Sequence, residues 1–150
     1  MPHVSVVVPV FNSASYIAGA LRSVFAQTFA DIEVIVVDDG SEDRDALIEA
    51  LAEFEGRIQY VRQENGGPAK ARNTGVSRAT AELVAFLDAD DEWLPEKLAR
   101  QVQYFHDHPN TGLLHTRVID GTPDGARDGP PRPAFCAIFH TEFFVRTLQP

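Results

Sequence analysis

The sequence predicts an α/β fold, a mostly parallel sheet with helices on both faces. Three observations carry this. Short β-branched runs alternate with amphipathic helical stretches along the first 119 residues. The composition is globular, with 44% apolar and 23% charged residues in a chain of 150. Two of the apolar runs also end abruptly in Asp-rich clusters and a third in Pro9-Val10-Phe11-Asn12, as strands do where they feed functional loops.

Val4-Ser5-Val6-Val7-Val8 reads as a buried strand closed by Pro9. Asn12 or Ser13 can cap the helix that follows, on which Ile17, Ala20, Leu21, Val24 and Phe25 share one face. Ile32 to Val37 is the second strand, stopped by Asp38-Asp39-Gly40-Ser41. A helix with Leu47, Ile48, Leu51 and Phe54 inward comes next, then a third, more amphipathic strand from Arg57 to Val61. Gly66-Gly67-Pro68 opens a helix from Ala69 to Arg78 whose small residues predict close packing. Glu82 to Leu87 is the fourth strand and ends in Asp88-Ala89-Asp90-Asp91. Pro95 suits the first turn of another helix, with Leu94, Leu98, Val102 and Phe105 as its buried stripe. Gly112 to Ile119 predicts a fifth strand. Residues 120–133, dominated by Gly, Pro, Asp and Arg, read as a long loop. Residues 134–150 are apolar again, as a strand pair or a short helix. The organisation expected is therefore an α/β domain over 1–119, a loop over 120–133 and an incomplete further part of the same domain over 134–150.

Acidic residues outnumber basic ones, 22 to 13, for a net charge of −9. All of that excess lies before Gly112, because the remainder is balanced. This argues against a general nucleic-acid binder, which needs a basic face. A single cysteine, Cys136, excludes an intrachain disulfide and a thiolate metal cluster. The N-terminal apolar run lacks a basic flank and is far too short to span a bilayer. A soluble, cytoplasmic protein is expected.

In an open parallel sheet, ligands bind beyond the carboxyl ends of the strands. Here three strand ends carry Pro9-Val10-Phe11-Asn12, Asp38-Asp39-Gly40-Ser41 and Asp88-Ala89-Asp90-Asp91. Two carboxylates about 5 Å apart repel by roughly 3 kcal/mol at an effective dielectric near 20. Solvent, a basic neighbour or a divalent cation must offset this. Oxygen-only ligands point to Mg²⁺ or Mn²⁺ rather than zinc, and such an ion keeps positions open for phosphate oxygens. One Asp at a strand end is most often a cap or a turn residue. Five carboxylates, an amide, a hydroxyl and an aromatic ring combined on three separate strand ends are not explained by turns alone and point to a ligand site.

Other candidates carry less. Lys70, Arg72 and Asn73 follow Gly66-Gly67 and could face an anion with the helix amides, although a surface salt bridge is the simpler reading of Lys70. Trp93 is either core or a sugar-stacking platform. The five histidines lack metal-ligand spacing, and Cys136 reads as a small buried hydrophobe. Gly66-Gly67-Pro68 matches neither a Walker loop nor a dinucleotide fingerprint.

Five ordered stretches nevertheless resemble glycosyltransferase family 2. They are Val4 to Asn12, Ser23 to Phe29, Glu33 to Asp43, Asn65-Gly66-Gly67-Pro68-Ala69-Lys70-Ala71-Arg72-Asn73-Thr74-Gly75 and Phe86 to Asp91. The resemblance implies the GT-A fold, a Rossmann-like sheet that binds a nucleotide-sugar. It implies nucleoside contacts at Pro9, Phe11, Asn12 and Asp39, with Asp39 bonding the base, often uracil, and Phe11 stacking on it. Arg72 is expected near the base or phosphates. Asp88 and Asp90 match the DxD motif, with Asp88 toward the ribose or sugar, Asp90 on Mn²⁺ or Mg²⁺, and Asp91 in support. Family 2 enzymes transfer the sugar from a nucleoside diphosphate to an acceptor hydroxyl with inversion, using a carboxylate base. The acceptor class, saccharide, lipid or other, is not implied.

The resemblance covers the donor half. The Glu-Asp pair after Gly-Gly-Phe that supplies the base, and the Gln-x-x-Arg-Trp of processive members, have no match here. The chain thus reads as truncated on its C-terminal side, with a non-catalytic nucleotide-sugar-binding module as the alternative to an enzyme. A phosphoacceptor receiver is disfavoured, since the first strand ends in Pro-Val-Phe-Asn and no Lys follows Ile119.

Overall fold

A computed structural model describes residues 3–115 and the backbone of a strand at 143–146. Four strands, β1 (Val4–Val10), β2 (Ile32–Asp38), β3 (Gln59–Arg62) and β4 (Leu83–Phe86), run parallel. Two more, β5 (Leu113–His115) and β6 (Phe143–Arg146), add an antiparallel edge, in the order β3-β2-β1-β4-β6-β5. The helices among the described residues are α1 (Ile17–Phe25), α2 (Arg44–Leu51), α3 (Pro68–Arg78) and α4 (Lys97–Asp107), with a 3-10 turn at Ala52–Phe54. The α/β expectation is met. Residues 120–133, Cys136 and His140 lie outside the described residues.

The period-two alternation of a strand divides the core. Val4, Val6, Val8 and Val10 join Val34 and Val36 in one cluster with Leu21, Leu47, Phe54, Trp93 and Phe105. Val7, Ile35, Val37, Val84 and Phe86 face the opposite side, where Ala71 of α3 joins them. Each fully buried aliphatic side chain contributes about 1.5–3 kcal/mol. Both sheet faces are therefore covered, as a parallel sheet requires. Among the described residues no helix is long and apolar enough to cross a membrane.

Strand β1 does not stop at Pro9 but continues to Val10. Proline is tolerated because of where its missing N–H would point. The Val7 carbonyl accepts from Leu87 on the β4 side, and that of Val10 from Asp39 on the β2 side. Pro9, two residues after Val7, faces the β4 side just where β4 has ended, so no ladder bond is lost. The chain order also reverses here, β2 and β3 lying to one side of β1 and β4 to the other. This switch point places a crevice between the ends of β1 and β4.

Several local expectations need correction. Neither Asn12 nor Ser13 caps α1, which starts at Ile17 after Tyr16 with no side-chain cap. The Asn12 side-chain oxygen is committed to the Glu42 amide, and a turn with the Tyr16 and Ile17 amides on the Ser13 carbonyl comes first. Ile48 is exposed beside buried Leu47, because adjacent residues lie about 100° apart on a helix and cannot both head the inward stripe. Helix α4 begins at Lys97, so Pro95 lies in the preceding turn, and Leu94 is 66% exposed. The Leu94 carbonyl is used by Gln27 and Lys97 while its side chain turns outward.

Candidate functional site

Asp38 and Asp39 are adjacent, yet the fold gives them different neighbours. Asp38 is fully buried and takes hydrogen bonds from Tyr60 Oη (2.6 Å), the Ser41 amide (2.8 Å) and Arg62. Tyr60 and Arg62 share one face of β3, and the register sets Arg62 beside Asp38. Burial alone would raise the Asp38 carboxyl, but the bonds from Tyr60, Ser41 and Arg62 outweigh it and hold it below the ordinary carboxylate value. Asp38 is thus a loop anchor behind the site.

Asp39 is 3% exposed and turns toward the segment after β3. Its Oδ1 accepts from Gln63 Nε2 (2.6 Å) and the Gly66 amide (3.0 Å), and its Oδ2 from the Gly67 amide (2.8 Å). Gly67 has φ 85°, a left-handed backbone that glycine adopts without steric cost. The Gly66-Gly67 turn is therefore tied to the end of β2, and α3 starts directly from it with Pro68 in its first turn. Gly75 lies so close to β1 that a Cβ there would sit 2.2 Å from Val7 Cγ1. The expected close packing of this helix is real.

From α3, Arg72 Nη2 reaches Asp88 Oδ1 at 2.6 Å, at the end of β4. The Nε of Arg72 is buried and has no hydrogen-bond partner among the described residues. Asp90 is exposed, and its side chain makes no hydrogen bond or ion pair among the described residues. The Asp91 amide closes a turn on the Asp88 carbonyl.

These elements enclose a cleft of about 580 Å³ lined by Pro9, Phe11, Asp39, Arg72, Asp88 and Asp90, together with Ser13, Asn65 and Pro68. Phe11 leaves 46% of its surface exposed. Asn12 and Asp91 do not line it. Asn12, at φ 51°, instead braces the loop after β2, its amide donating to Ser41 Oγ and its Oδ1 accepting from Glu42. Among the described residues Lys70 forms no ion pair, and it donates to the Glu64 carbonyl. Trp93 belongs to the core, with Lys97 Nζ 4.0 Å over its ring. Among the described residues no three His, Cys, Asp or Glu side chains gather as a metal cage. Of the described residues, an ion here would take Asp88 and Asp90 and draw further oxygens from elsewhere, such as water or ligand.

The sequence matches the family model described as Glycosyl transferase family 2 over residues 5–146. The chain belongs to glycosyl transferase family 2. This family 2 chain is 43% identical over 121 residues to the uncharacterized glycosyltransferase alr2836 of Nostoc sp., covering 79% of the chain and 38% of that relative. It is 40% identical over 94 residues to glycosyltransferase GlyA of Streptococcus pneumoniae, covering 62% of the chain and 13% of the relative. It thus spans well under half the length of these curated relatives. Among solved structures, S. aureus TarS in complex with UDP superposes with a TM-score of 0.71 at 30% identity, over 85% of this chain and 38% of that one. Mannosyltransferase PcManGT from Pyrobaculum calidifontis in complex with GDP-Man and Mn²⁺ gives 0.64 at 32% identity, over 75% and 34%. The fold of this family 2 chain is thereby GT-A-like.

Some structurally important residues of the family 2 chain escape sequence reading. Gln63, Tyr60 and Arg62 meet the β2-end carboxylates 22–24 residues away in sequence. The one available signal is Tyr60 and Arg62 at strand spacing, two polar-tipped residues on one face. Gln27 is a further case. It is nearly buried and joins the end of α1 to the segment before α4, donating to the Ser23 and Leu94 carbonyls and accepting from the Leu98 amide.

Proposed function

We propose that the cleft binds a nucleoside-diphosphate sugar and that the chain is the donor-binding part of an inverting glycosyltransferase. The observation that carries this is one cleft joining an aromatic ring, an acceptor carboxylate and a guanidinium to two further carboxylates. Phe11 offers its exposed ring to a base. Asp39 keeps an acceptor position for a ring N–H, which uracil and guanine both present. Arg72, with its orphaned Nε, offers charge to the diphosphate. Asp88 faces the ribose or sugar. The complexes of TarS with UDP and UDP-GlcNAc, and of PcManGT with GDP-Man and Mn²⁺, support this assignment, and the likeness to the two TarS complexes supports uridine as the base here.

The donor set also fits a hard divalent cation. Asp90 is unpartnered among the described residues, and Asp88 has one oxygen clear of Arg72. Asp90 and Asp88 would hold Mn²⁺ or Mg²⁺, with Asp91 in support. Such an ion supplies Lewis acidity for the departing diphosphate. Arg72 neutralises charge on the same group, and Phe11 and Asp39 orient the nucleoside so that the anomeric carbon is open to an acceptor hydroxyl, saccharide, lipid or other. The carboxylate that takes the acceptor proton is not assigned to any residue of this chain.

The test is thermal unfolding with UDP, GDP, CDP and ADP, each with and without Mn²⁺. Ligand at about 100 times its dissociation constant adds roughly 2.7 kcal/mol, or several degrees. A shift with one base class that grows with Mn²⁺ supports the proposal, and Asp90→Ala should abolish the growth. No shift with any nucleotide overturns it. Equal affinities of wild type and Asp90→Ala, with and without Mn²⁺, remove the metal assignment.

A further inference from the structure

We infer that Gln63, oriented by Thr74, is a positioning residue that holds the Asp39 carboxylate in the direction from which it reads the base. The inference rests on the donor-site reading above and adds to it the device that sets base selectivity.

The hydrogen bonds have only one consistent direction. A carboxylate accepts and does not donate, so the group of Gln63 that meets Asp39 Oδ1 at 2.6 Å must be its NH₂. The Gln63 Oε1 then faces Thr74 Oγ1 at 2.5 Å, and the hydroxyl must donate. A flipped amide would set oxygen against oxygen at Asp39. The chain Thr74 to Gln63 to Asp39 is therefore ordered, and each link polarises the next. Its anchorage is firm at both ends. The Gln63 amide donates to the Asp38 carbonyl at 2.9 Å, and Thr74 stands on α3, the helix seated on β1.

The consequence lies in the lone pairs left over. Two carboxylate oxygens offer about four acceptor positions. Gln63 and the Gly66 amide use Oδ1, and the Gly67 amide uses one position on Oδ2. The spare capacity of the buried carboxylate is thus confined to Oδ2, and Asp39 lines the cleft. The terminal torsion of an Asp side chain is intrinsically broad. Without Gln63, only backbone amides of a glycine turn restrain it. An acceptor held in one direction favours a ring N–H, as in uracil or guanine, and repels the ring nitrogen acceptor of cytosine or adenine. A carboxylate free to rotate discriminates less.

The experiment measures the affinity ratio between a keto nucleotide and its amino counterpart, UDP to CDP and GDP to ADP, with Mn²⁺ present. It is run on the whole chain by calorimetry for wild type, Gln63→Leu, Thr74→Val and Thr74→Ser. In Gln63→Leu the preferred ratio should fall at least fivefold, chiefly through weaker binding of the keto nucleotide. Thr74→Val should lower it about threefold, and Thr74→Ser, which keeps the hydroxyl, should restore it. A general loosening of the cleft would instead weaken all nucleotides alike and leave the ratio unchanged. That result overturns the inference, as does a wild-type ratio near one. If Gln63→Leu does not fold, the contrast between Thr74→Val and Thr74→Ser decides. Wild type that binds no nucleotide at all overturns the donor-site reading and this inference together. Wild type that selects its base while Gln63→Leu selects it equally well overturns the inference alone.

Discussion

Substituting Gly75 by Ala tests how tightly α3 is seated on the sheet. A Cβ at this position would lie 2.2 Å from Val7 Cγ1 and 3.0 Å from Cγ2, where ordinary contact begins at 3.4 Å. Val7 is fully buried in β1 and β-branched, so rotation about χ1 offers little relief. Either α3 lifts or β1 bends. Such overpacking costs about 1–3 kcal/mol or more, and Ala regains roughly 1 kcal/mol of helix propensity over Gly. The net expectation is a loss of about 1 kcal/mol and up to about 2, or roughly 2–8 °C in melting temperature for a chain of this size. Val7→Ala alone should cost about 2–3 kcal/mol through lost burial and a cavity. In the double variant the new methyl fills that cavity, so the two losses should fall short of additivity by more than about 1 kcal/mol. Equilibrium denaturation of the four proteins measures this cycle. A stabilised Gly75→Ala, or additivity within about 0.5 kcal/mol, would refute the packing argument. Because Arg72 rides on the same helix, Gly75→Ala should also weaken nucleotide binding, and Val7→Ala should partly restore it.

Three further outcomes are expected. Asp38 and Glu33 both have lowered carboxyl values, burial opposing their ionisation but bonds from Tyr60, Ser41 and Arg62 in one case, and from Ser5, Thr80 and Ala81 in the other, outweighing it. Their contribution is complete above the unfolded values, near 3.8 and 4.5, and is lost as pH falls through the lowered folded ones. Denaturation between pH 3 and pH 7 should therefore show stability falling below about pH 4.5, with a shallower fall in Asp38→Asn, and an unchanged slope would remove Asp38 from this account. Gln27→Leu should destabilise the chain by about 1–3 kcal/mol, since it strands the Leu98 amide and leaves the Leu94 carbonyl with the Lys97 amide alone; a loss under about 0.5 kcal/mol in urea melts would show that water replaces the side chain. Arg72→Lys should lower UDP affinity at least tenfold, because an ammonium cannot keep the bond to Asp88 while presenting a second planar N–H to the ligand, and calorimetry showing equal affinity would contradict this.

The strand ends were legible because their signal is local. A β-branched run that breaks into Asp-Asp-Gly-Ser or Asp-Ala-Asp-Asp announces a strand meeting a loop, and parallel topology brings such loops to one edge. The fold class followed from the same alternation. Errors arose where phase mattered at short range. In α2, Leu47 and Ile48 are equally apolar, and only the helix start at Arg44 decides which one faces the sheet. Leu94 matched the α4 stripe by spacing, yet the helix begins after it, because Gln27 and Thr28 hold the segment 94–95 from outside. Asn12 resembled a cap, but Glu42, 30 residues on, claims its oxygen. Partners at that separation leave no periodic trace in a single sequence.

The carboxylates show why counting charges along the chain overstates the strain at this edge. Read as equals, Asp38, Asp39, Asp88, Asp90 and Asp91 form one repelling cluster. In the fold, Asp38 is matched by Arg62 and Asp88 by Arg72, each through a direct ion pair. Asp39 has no cation but three N–H donors, which favour a carboxylate through oriented dipoles rather than net charge. Asp90 alone among the cleft-lining carboxylates has no such compensation from the described residues. The protein has therefore neutralised the charges that hold its loops in place. The one it leaves is exposed at the mouth of the cleft, where solvent screens it cheaply until a counter-charge arrives. On the proposed donor reading, a site built this way is rigid behind the base and open at the diphosphate, so base selectivity and metal dependence should respond to different substitutions.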